Sequence, residues 1–165
     1  MNDTLTKVLL VILKRLVLII VVASILIMGG FMAYQTSNIY IIVEEGMEVR
    51  ANSVILPDDE ETEILLRNFF TMDYIKTSPK LSDKRYKGYP IESFAYNIDI
   101  DFMWPWPWKD TIKVDVEESI YSFNLKNTQD NDEDLQVAVP EWDNGKKEVH
   151  LMKVDRSWKI YDVKE

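Results

Sequence analysis

The protein has 165 residues, a formal net charge of −9 and no cysteine, and 47% of its residues are hydrophobic. The length beyond an apolar N-terminal region, roughly 130 residues, suits one domain and not two. The lack of cysteine excludes disulfides and thiolate metal sites, and the acidity argues against binding to nucleic acid or anionic lipid headgroups. An acidic domain attracts basic protein partners, although acidity also serves solubility alone.

An apolar segment of 19 residues without a charge, 16–34, lies near the N-terminus. As a helix rising about 1.5 Å per residue, it nearly spans a hydrocarbon core of about 30 Å. Lys14 and Arg15 stand directly before it, and the positive-inside rule puts them in the cytoplasm. We therefore predict a cytoplasmic stub over 1–15, a single-pass transmembrane helix over 16–34 and an extracellular remainder. A cleaved signal peptide is the alternative, but its apolar region would be shorter and would end in small residues at a cleavage site.

The segment after the membrane helix, 35–56, is predicted to be a juxtamembrane connection, in which the β-branched run 39–43 predicts a short strand. Asp58 and, three residues later, Glu61 match a capping box and predict the start of a helix. Apolar residues at helical spacing extend this helix to Ile75. Its sheet-facing stripe is predicted to consist of Leu65, Leu66, Phe69, Phe70 and Met72.

The extracellular domain is predicted to occupy residues 57–165 and to end in a run of strands. Apolar and polar residues alternate over 96–102 and over 111–125, which is typical of half-buried strands. The alternation changes phase near residues 117–119, and this change indicates a β-bulge or a tight bend.

Two turns complete the predicted sheet. Asn144-Gly145 is a strong hairpin signal and, as a turn, would place Val139 opposite His150. A second hairpin is predicted to turn at residues 155–157. The fold class is therefore predicted to be α+β, with one helix packed on a curved antiparallel sheet of about five or more strands.

No set of residues predicts catalysis. His150 is the only histidine, and the predicted hairpin puts it on an apolar face, which is typical of a core residue. One histidine without cysteine provides neither a Cys-His pair nor a zinc cluster, and no spacing matches an EF-hand. Carboxylate pairs arise by chance in so acidic a chain. We predict a non-enzymatic protein with no cofactor and no metal site.

A tryptophan-rich stretch between two predicted strands is the first candidate for a binding surface. Trp104, Trp106 and Trp108 alternate with prolines, which stiffen the backbone. Rigid aromatic side chains are enriched at binding hot spots. The alternative is that the indoles fold back and cover the open end of the core.

The second candidate is an acidic sheet face. If the two alternating segments pair with their apolar sides together, four acids, one asparagine and one lysine face outward together: Asn97, Asp99, Asp101, Lys113, Asp115 and Glu117. Such a face suits a protein partner with a basic surface, although a solvated face has the same composition. We predict that these four carboxylates and the three indoles bind a partner protein.

Two resemblances suggest what the partner is. The segments 38–40, 101–105 and 114–123, together with the layout of stub, membrane helix and acidic outer domain, resemble the TipC-like immunity proteins of Gram-positive bacteria. Those proteins are membrane-anchored, face outward and neutralise LXG toxins delivered by a type VII secretion system. The resemblance implies an antitoxin that binds a toxin acting at the cell envelope.

The C-terminal segments 149–153 and 158–163 are similar to the last two strands of the nuclear-transport-factor-like cone fold. Combined with a membrane anchor, this second resemblance implies a different function. The protein would then be a scaffold subunit of a conjugation or secretion machine.

Overall fold

A computed structural model describes residues 2–56, 60–126 and 138–165. Within these ranges the chain is α+β, as predicted, and its sheet has four strands rather than five or more. The elements are α1 (Asn2–Ile55), α2 (Glu60–Phe69), α3 (Met72–Thr77), β1 (Ile91–Ile100), β2 (Thr111–Leu125), β3 (Gly145–Val154) and β4 (Ser157–Lys164).

Helix α1 runs without a break from the apolar N-terminal region into the domain. The predicted strand over 39–43 is therefore wrong. Ile39, Val43 and Met47 recur at every fourth residue, so they share one face of a helix, and all three are completely buried against the sheet. This helical stripe outweighs the strand preference of β-branched residues, because strand preference depends strongly on packing context.

The N-terminal half of α1 is long and apolar enough to span a membrane. Its most apolar window has a mean hydropathy of 2.8, and only 6% of that window is buried. Leu26 and Ile27, for example, are 70% and 73% exposed. A core helix of a soluble protein would bury such side chains. Burial begins at Met32, which is 5% exposed and marks the point where the domain meets the helix.

The long helix predicted to reach Ile75 is divided into α2 and α3. At the division, Phe70 forms a parallel bridge with Ile160, and the Thr71 N–H donates to the Ile160 carbonyl at 2.9 Å. The Thr71 hydroxyl then caps α3 by accepting a bond from the Tyr74 N–H. The predicted helix start at Asp58 lies outside the described residues.

The buried stripe of α2 and α3 differs from the predicted one. Leu66, Phe70 and Tyr74, spaced by four, are buried, whereas Leu65 and Met72 are exposed. Phe70 and Tyr74 also stack, with ring centroids 4.9 Å apart. The sheet therefore meets these helices along a line rotated from the one that the apolar pattern indicated.

The strands form an antiparallel meander in the order β1-β2-β3-β4. A bulge in β2 is confirmed, but it lies at Tyr121, which falls between two paired residues and is 73% exposed. The predicted second hairpin is also confirmed. Asp155 and Arg156 connect β3 to β4 with φ of 51° and 68°, which suits a tight turn with the sheet's own twist.

The predicted hairpin turn at Asn144-Gly145 is wrong. Strand β3 starts at Gly145 and pairs with β2 along one edge and with β4 along the other. The segment that contains Val139 therefore cannot pair with β3, and Val139 does not lie opposite His150. The Asn144 side chain has another use. Its Oδ1 accepts from the Ile120 N–H at 2.7 Å, and its Nδ2 donates to the Ile120 carbonyl at 3.0 Å, beside the β2 bulge.

The two ends of the domain contact different parts of α1 and can be named accordingly. At one end, here called the proximal end, Trp158 at the start of β4 donates its indole N–H to Gln35 Oε1 at 2.8 Å. At the other, distal end, Val54 packs in one cluster with Ile91 and Trp142. Because the strands alternate in direction, the β1–β2 connection and the β3–β4 turn both lie at the proximal end.

Candidate functional site

The outer face of the sheet, opposite the face that packs on α1, carries the predicted carboxylates. Asp99, Asp101, Asp115 and Glu117 are all exposed. Asp99 lies directly opposite Glu117, and the Asp101 N–H donates to the Asp115 carbonyl at 2.9 Å. The structure thus brings the four side chains together on β2, on β1 and on the residue that follows β1. We call this set the acidic face.

Strands β3 and β4 add lysines to the same outer surface. Lys146 lies opposite Glu117, Lys164 lies opposite Glu148, and Lys113 donates to Glu148 at 3.0 Å. Lys113 belongs to β2 and was expected on this face, but the sequence reasoning missed Lys146 and Lys164 because the wrong hairpin removed β3 from the side of β2. Negative charge is therefore concentrated on the β1–β2 half of the surface.

The tryptophan-rich connection between β1 and β2 exposes all three of its indoles. Trp104, Trp106 and Trp108 are 53%, 44% and 66% exposed, whereas Met103 is buried in the core. Phe102 extends the row, and successive ring centroids lie 6.2, 6.4 and 4.9 Å apart. We call residues 102–108 the aromatic loop. The loop adjoins the acidic face at its proximal end.

A buried ionic cluster, which the sequence reasoning missed, lies on the inner face of the sheet. Glu118 is 0% exposed and accepts a bond from Arg50 Nη2 at 2.9 Å. Lys147 Nζ lies 3.4 Å from the same carboxylate oxygen, and the Tyr96 hydroxyl donates to the other oxygen at 3.3 Å. We call these four residues the Glu118 cluster. It joins α1 to three strands.

Burial and charge act together on this cluster. Burial, reinforced by the negative charge of Glu118, raises the pKa of Tyr96 well above its ordinary value, so the phenol stays protonated and donates. Burial disfavours the charge of Arg50, but Glu118 and the Tyr74 hydroxyl outweigh that effect and leave the pKa of Arg50 raised. Arg50 therefore keeps its charge in the core, and its bond to Glu118 positions α1 against the sheet.

The sequence contained a signal for this cluster. Glu118 interrupts an inward-facing series whose neighbouring members, Val116 and Ile120, are buried. Arg50 lies on the same helix face as the buried residues of α1. A charge on each of two apolar stripes that pack together indicates a buried pair, because neither charge is tolerated alone.

His150 is buried, as predicted, but it is not on the apolar face. It lies on the outer side of the sheet, in contact with Glu148 and with Tyr161, whose hydroxyl is 3.4 Å from Nδ1, and Asp162 Oδ2 is 3.7 Å away. Hydrogen bonding from His150, followed by that from Lys113, lowers the pKa of Glu148. These contacts show that His150 belongs to the polar outer surface of the sheet, where its neighbours bury it.

A polar rim near the distal end ties the residues before β1 to those before β3. Lys80 and Arg85 both contact the Asp143 carboxylate, and these hydrogen bonds, led by that from Lys80, lower the pKa of Asp143. Burial raises the pKa of the neighbouring Tyr86 to about 12. The rim contains both positive and negative side chains, so it favours neither an anionic nor a cationic ligand.

The comparisons with known proteins add no identification. No protein-family model matches the sequence, no curated protein matches it, and no solved structure matches the fold. In the part of the chain that the structure describes, no group of three or more histidine, aspartate or glutamate side chains is placed to hold a metal ion. A functional proposal must therefore rest on the surfaces described above.

Proposed function

We propose that this protein is a non-enzymatic, membrane-anchored, outward-facing binding domain, and specifically an immunity protein that neutralises a secreted toxin acting at the cell envelope. The apolar half of α1 supports the anchor, because it is both exposed and long enough to cross a bilayer. Lys14 and Arg15, immediately before the apolar run, support a cytoplasmic N-terminus. The TipC-like layout supports the toxin as partner.

The observation that carries the proposal is the acidic face. Its four carboxylates are exposed on adjacent strands, on the side of the sheet opposite α1, so a partner can reach them without competing with the core. Lys113, the nearest lysine on β2, is engaged by Glu148. A concentrated negative field of this kind accelerates encounter with a basic surface and disfavours acidic partners.

A scaffold subunit of a conjugation or secretion machine is the second candidate. Scaffold subunits with the nuclear-transport-factor-like fold usually have more helix before the sheet than the sequence predicted here. One observation favours this candidate: among the described residues, α1 continues as a helix to Ile55, where a connection with a short strand was predicted. The neighbouring genes separate the two candidates. An adjacent toxin gene supports immunity, and a row of transfer genes supports a scaffold.

The test of the acidic face is a charge reversal. The partner is first captured with the full-length chain in detergent micelles, and Asp99→Lys plus Asp101→Lys is then compared with the unchanged protein. Because electrostatic steering acts on encounter, we expect the association rate at low salt to fall by about tenfold or more and to depend less on salt. The dissociation rate should change less. Surface plasmon resonance at several salt concentrations measures both rates.

The control variant is Glu44→Lys plus Glu45→Lys, which reverses two exposed charges on α1. Each pair of changes moves the net charge from −9 to −5, so only the position of the charges differs. The control should bind at nearly the original rate. Equal rates for both double variants would mean that the acidic face is a solvated surface and would remove the main support for the proposal.

A further inference from the structure

The aromatic loop lies at the level where the apolar segment 16–34 of α1 ends and polar residues begin. The link is Trp158, which is bonded to Gln35 on α1 and also lines a cavity of about 360 Å³ with Trp104 and Trp106. Gln35 is the first residue after the run 16–34. The loop and the end of the apolar helix therefore both adjoin Trp158, at the proximal end of the domain.

This level corresponds to the headgroup region of a bilayer. If 16–34 fills the hydrocarbon core, the interfacial layer of about 5–7 Å on each side covers roughly the next four helical residues. Gln35 is the first of these. Tyr34, the residue directly before Gln35, has an aromatic side chain that is 67% exposed at this end of the apolar segment.

The chemistry of the loop suits this layer. Its four rings form one row, and Phe102, at the start of the row, is 83% exposed. Indoles favour membrane interfaces, because an apolar ring can be buried while the N–H stays hydrated. Prolines between the indoles hold the row stiff, so little conformational entropy is lost on docking.

Charge does not explain an attachment at this end. Lys109 and Arg156 are exposed there, but so are Asp110 and Asp155, and the two signs cancel. The domain as a whole is acidic and is repelled by anionic lipids. Any attachment of the proximal end to a bilayer must therefore come from the rings.

We propose that the aromatic loop docks into the headgroup layer of the same membrane that α1 spans. This inference rests on the proposed membrane span of α1. Together with the unbroken helix, the loop gives the domain a second point of attachment. The domain is then held at a fixed tilt, with the distal end raised from the surface and the acidic face held beside the bilayer. The alternative is that the three indoles bind a partner protein, as the sequence predicted.

Fluorescence quenching tests the docking. The full-length chain is reconstituted into phosphatidylcholine vesicles in which a fraction of the lipid is brominated near the headgroup. Because three of the five tryptophans lie in the loop, we expect about half of the tryptophan fluorescence to be quenched by bromine and shielded from aqueous iodide. The variant Trp104→Phe, Trp106→Phe, Trp108→Phe should lose most of this lipid quenching, since Trp142 and Trp158 are buried.

A matched control adds Tyr121→Trp to the triple phenylalanine variant. Tyr121 is 73% exposed and lies in the distal part of β2. An indole at this position should be quenched by iodide and not by brominated lipid. Adding phosphatidylglycerol to the vesicles should leave the quenching of the unchanged loop the same, because the rings and not charge hold it.

Flotation of the vesicles tests the membrane span of α1 separately from the docking of the aromatic loop. A chain that fails to float with the vesicles contradicts the membrane span itself. A chain that floats, but whose loop is quenched by iodide and not by brominated lipid, overturns the docking and leaves the indoles to a protein partner. Lipid quenching that requires phosphatidylglycerol would overturn the role assigned to the rings.

Discussion

Replacing Glu118 by glutamine should lower the free energy of unfolding by about 3–5 kcal/mol, because it leaves the buried Arg50 without its counter-charge. Arg50 pairs with this carboxylate, and the side chains of Arg50 and Glu118 are 2% and 0% exposed. Lys147 Nζ lies 3.4 Å from the same carboxylate and also 3.4 Å from a second acid, Glu165. Glutamine keeps the size and one acceptor but removes the charge. The loss therefore measures the electrostatic contribution and not a cavity.

Thermal and guanidinium unfolding of the full-length chain in detergent micelles, followed by circular dichroism, measures this change. Glu117→Gln is the control, since Glu117 is the adjacent, exposed residue and should shift stability by no more than about 0.5 kcal/mol. Arg50→Met combined with Glu118→Leu removes both charges and should be more stable than Glu118→Gln alone. A loss below about 1 kcal/mol for Glu118→Gln would show that the cluster does not hold α1 in place.

Gly46→Leu should also destabilise the domain, by about 1–3 kcal/mol or more, because the helix has no room for a side chain there. A Cβ at Gly46 would lie 2.9 Å from Ile160 Cδ1 and 3.1 Å from Phe69 Cβ. Glycine allows α1 to approach α2 and β4 this closely. The crowding outweighs the gain of about 1 kcal/mol that a helix usually obtains when glycine is replaced.

Gly30→Leu is the matched control for this substitution. Gly30 belongs to the same helix, and a Cβ there would meet nothing within 4 Å. Its replacement should leave the unfolding transition of the domain unchanged. Similar unfolding curves for the two leucine variants would contradict the close packing of α1 against the domain.

Features of the fold that depend on local alternation could be predicted from the sequence. The strand segments around Ile98 and Val114, and the outward direction of Asp99 and Asp115, follow from a period of two. The turn at Asp155-Arg156 could be predicted because two polar residues separate two segments that each have the pattern of a strand. These features need only near neighbours, so the sequence determines them without knowledge of the tertiary contacts.

Features that depend on distant partners could not be predicted in this way. Residues such as Ile39 and Val43 are helical because one face of α1 packs on a sheet formed about a hundred residues later. Asn144 followed by glycine is typical of a hairpin turn, but β2 and β4 pair with both edges of β3 and leave no place for the predicted partner strand. The Glu118 cluster joins residues 68 positions apart, and only the packed structure shows that their two stripes meet.

The central claim is that α1 crosses the membrane once and carries the domain outside the cell. Since the chain has no cysteine, single-cysteine variants report its topology without background. Tyr121→Cys, at an exposed site in the domain, should react with a membrane-impermeant maleimide on intact, wall-digested cells. Thr4→Cys should react only after the cells are permeabilised, and both variants should remain full-length in the membrane fraction. Protection of Tyr121→Cys in intact cells, or its release as a shortened soluble product, would contradict the account.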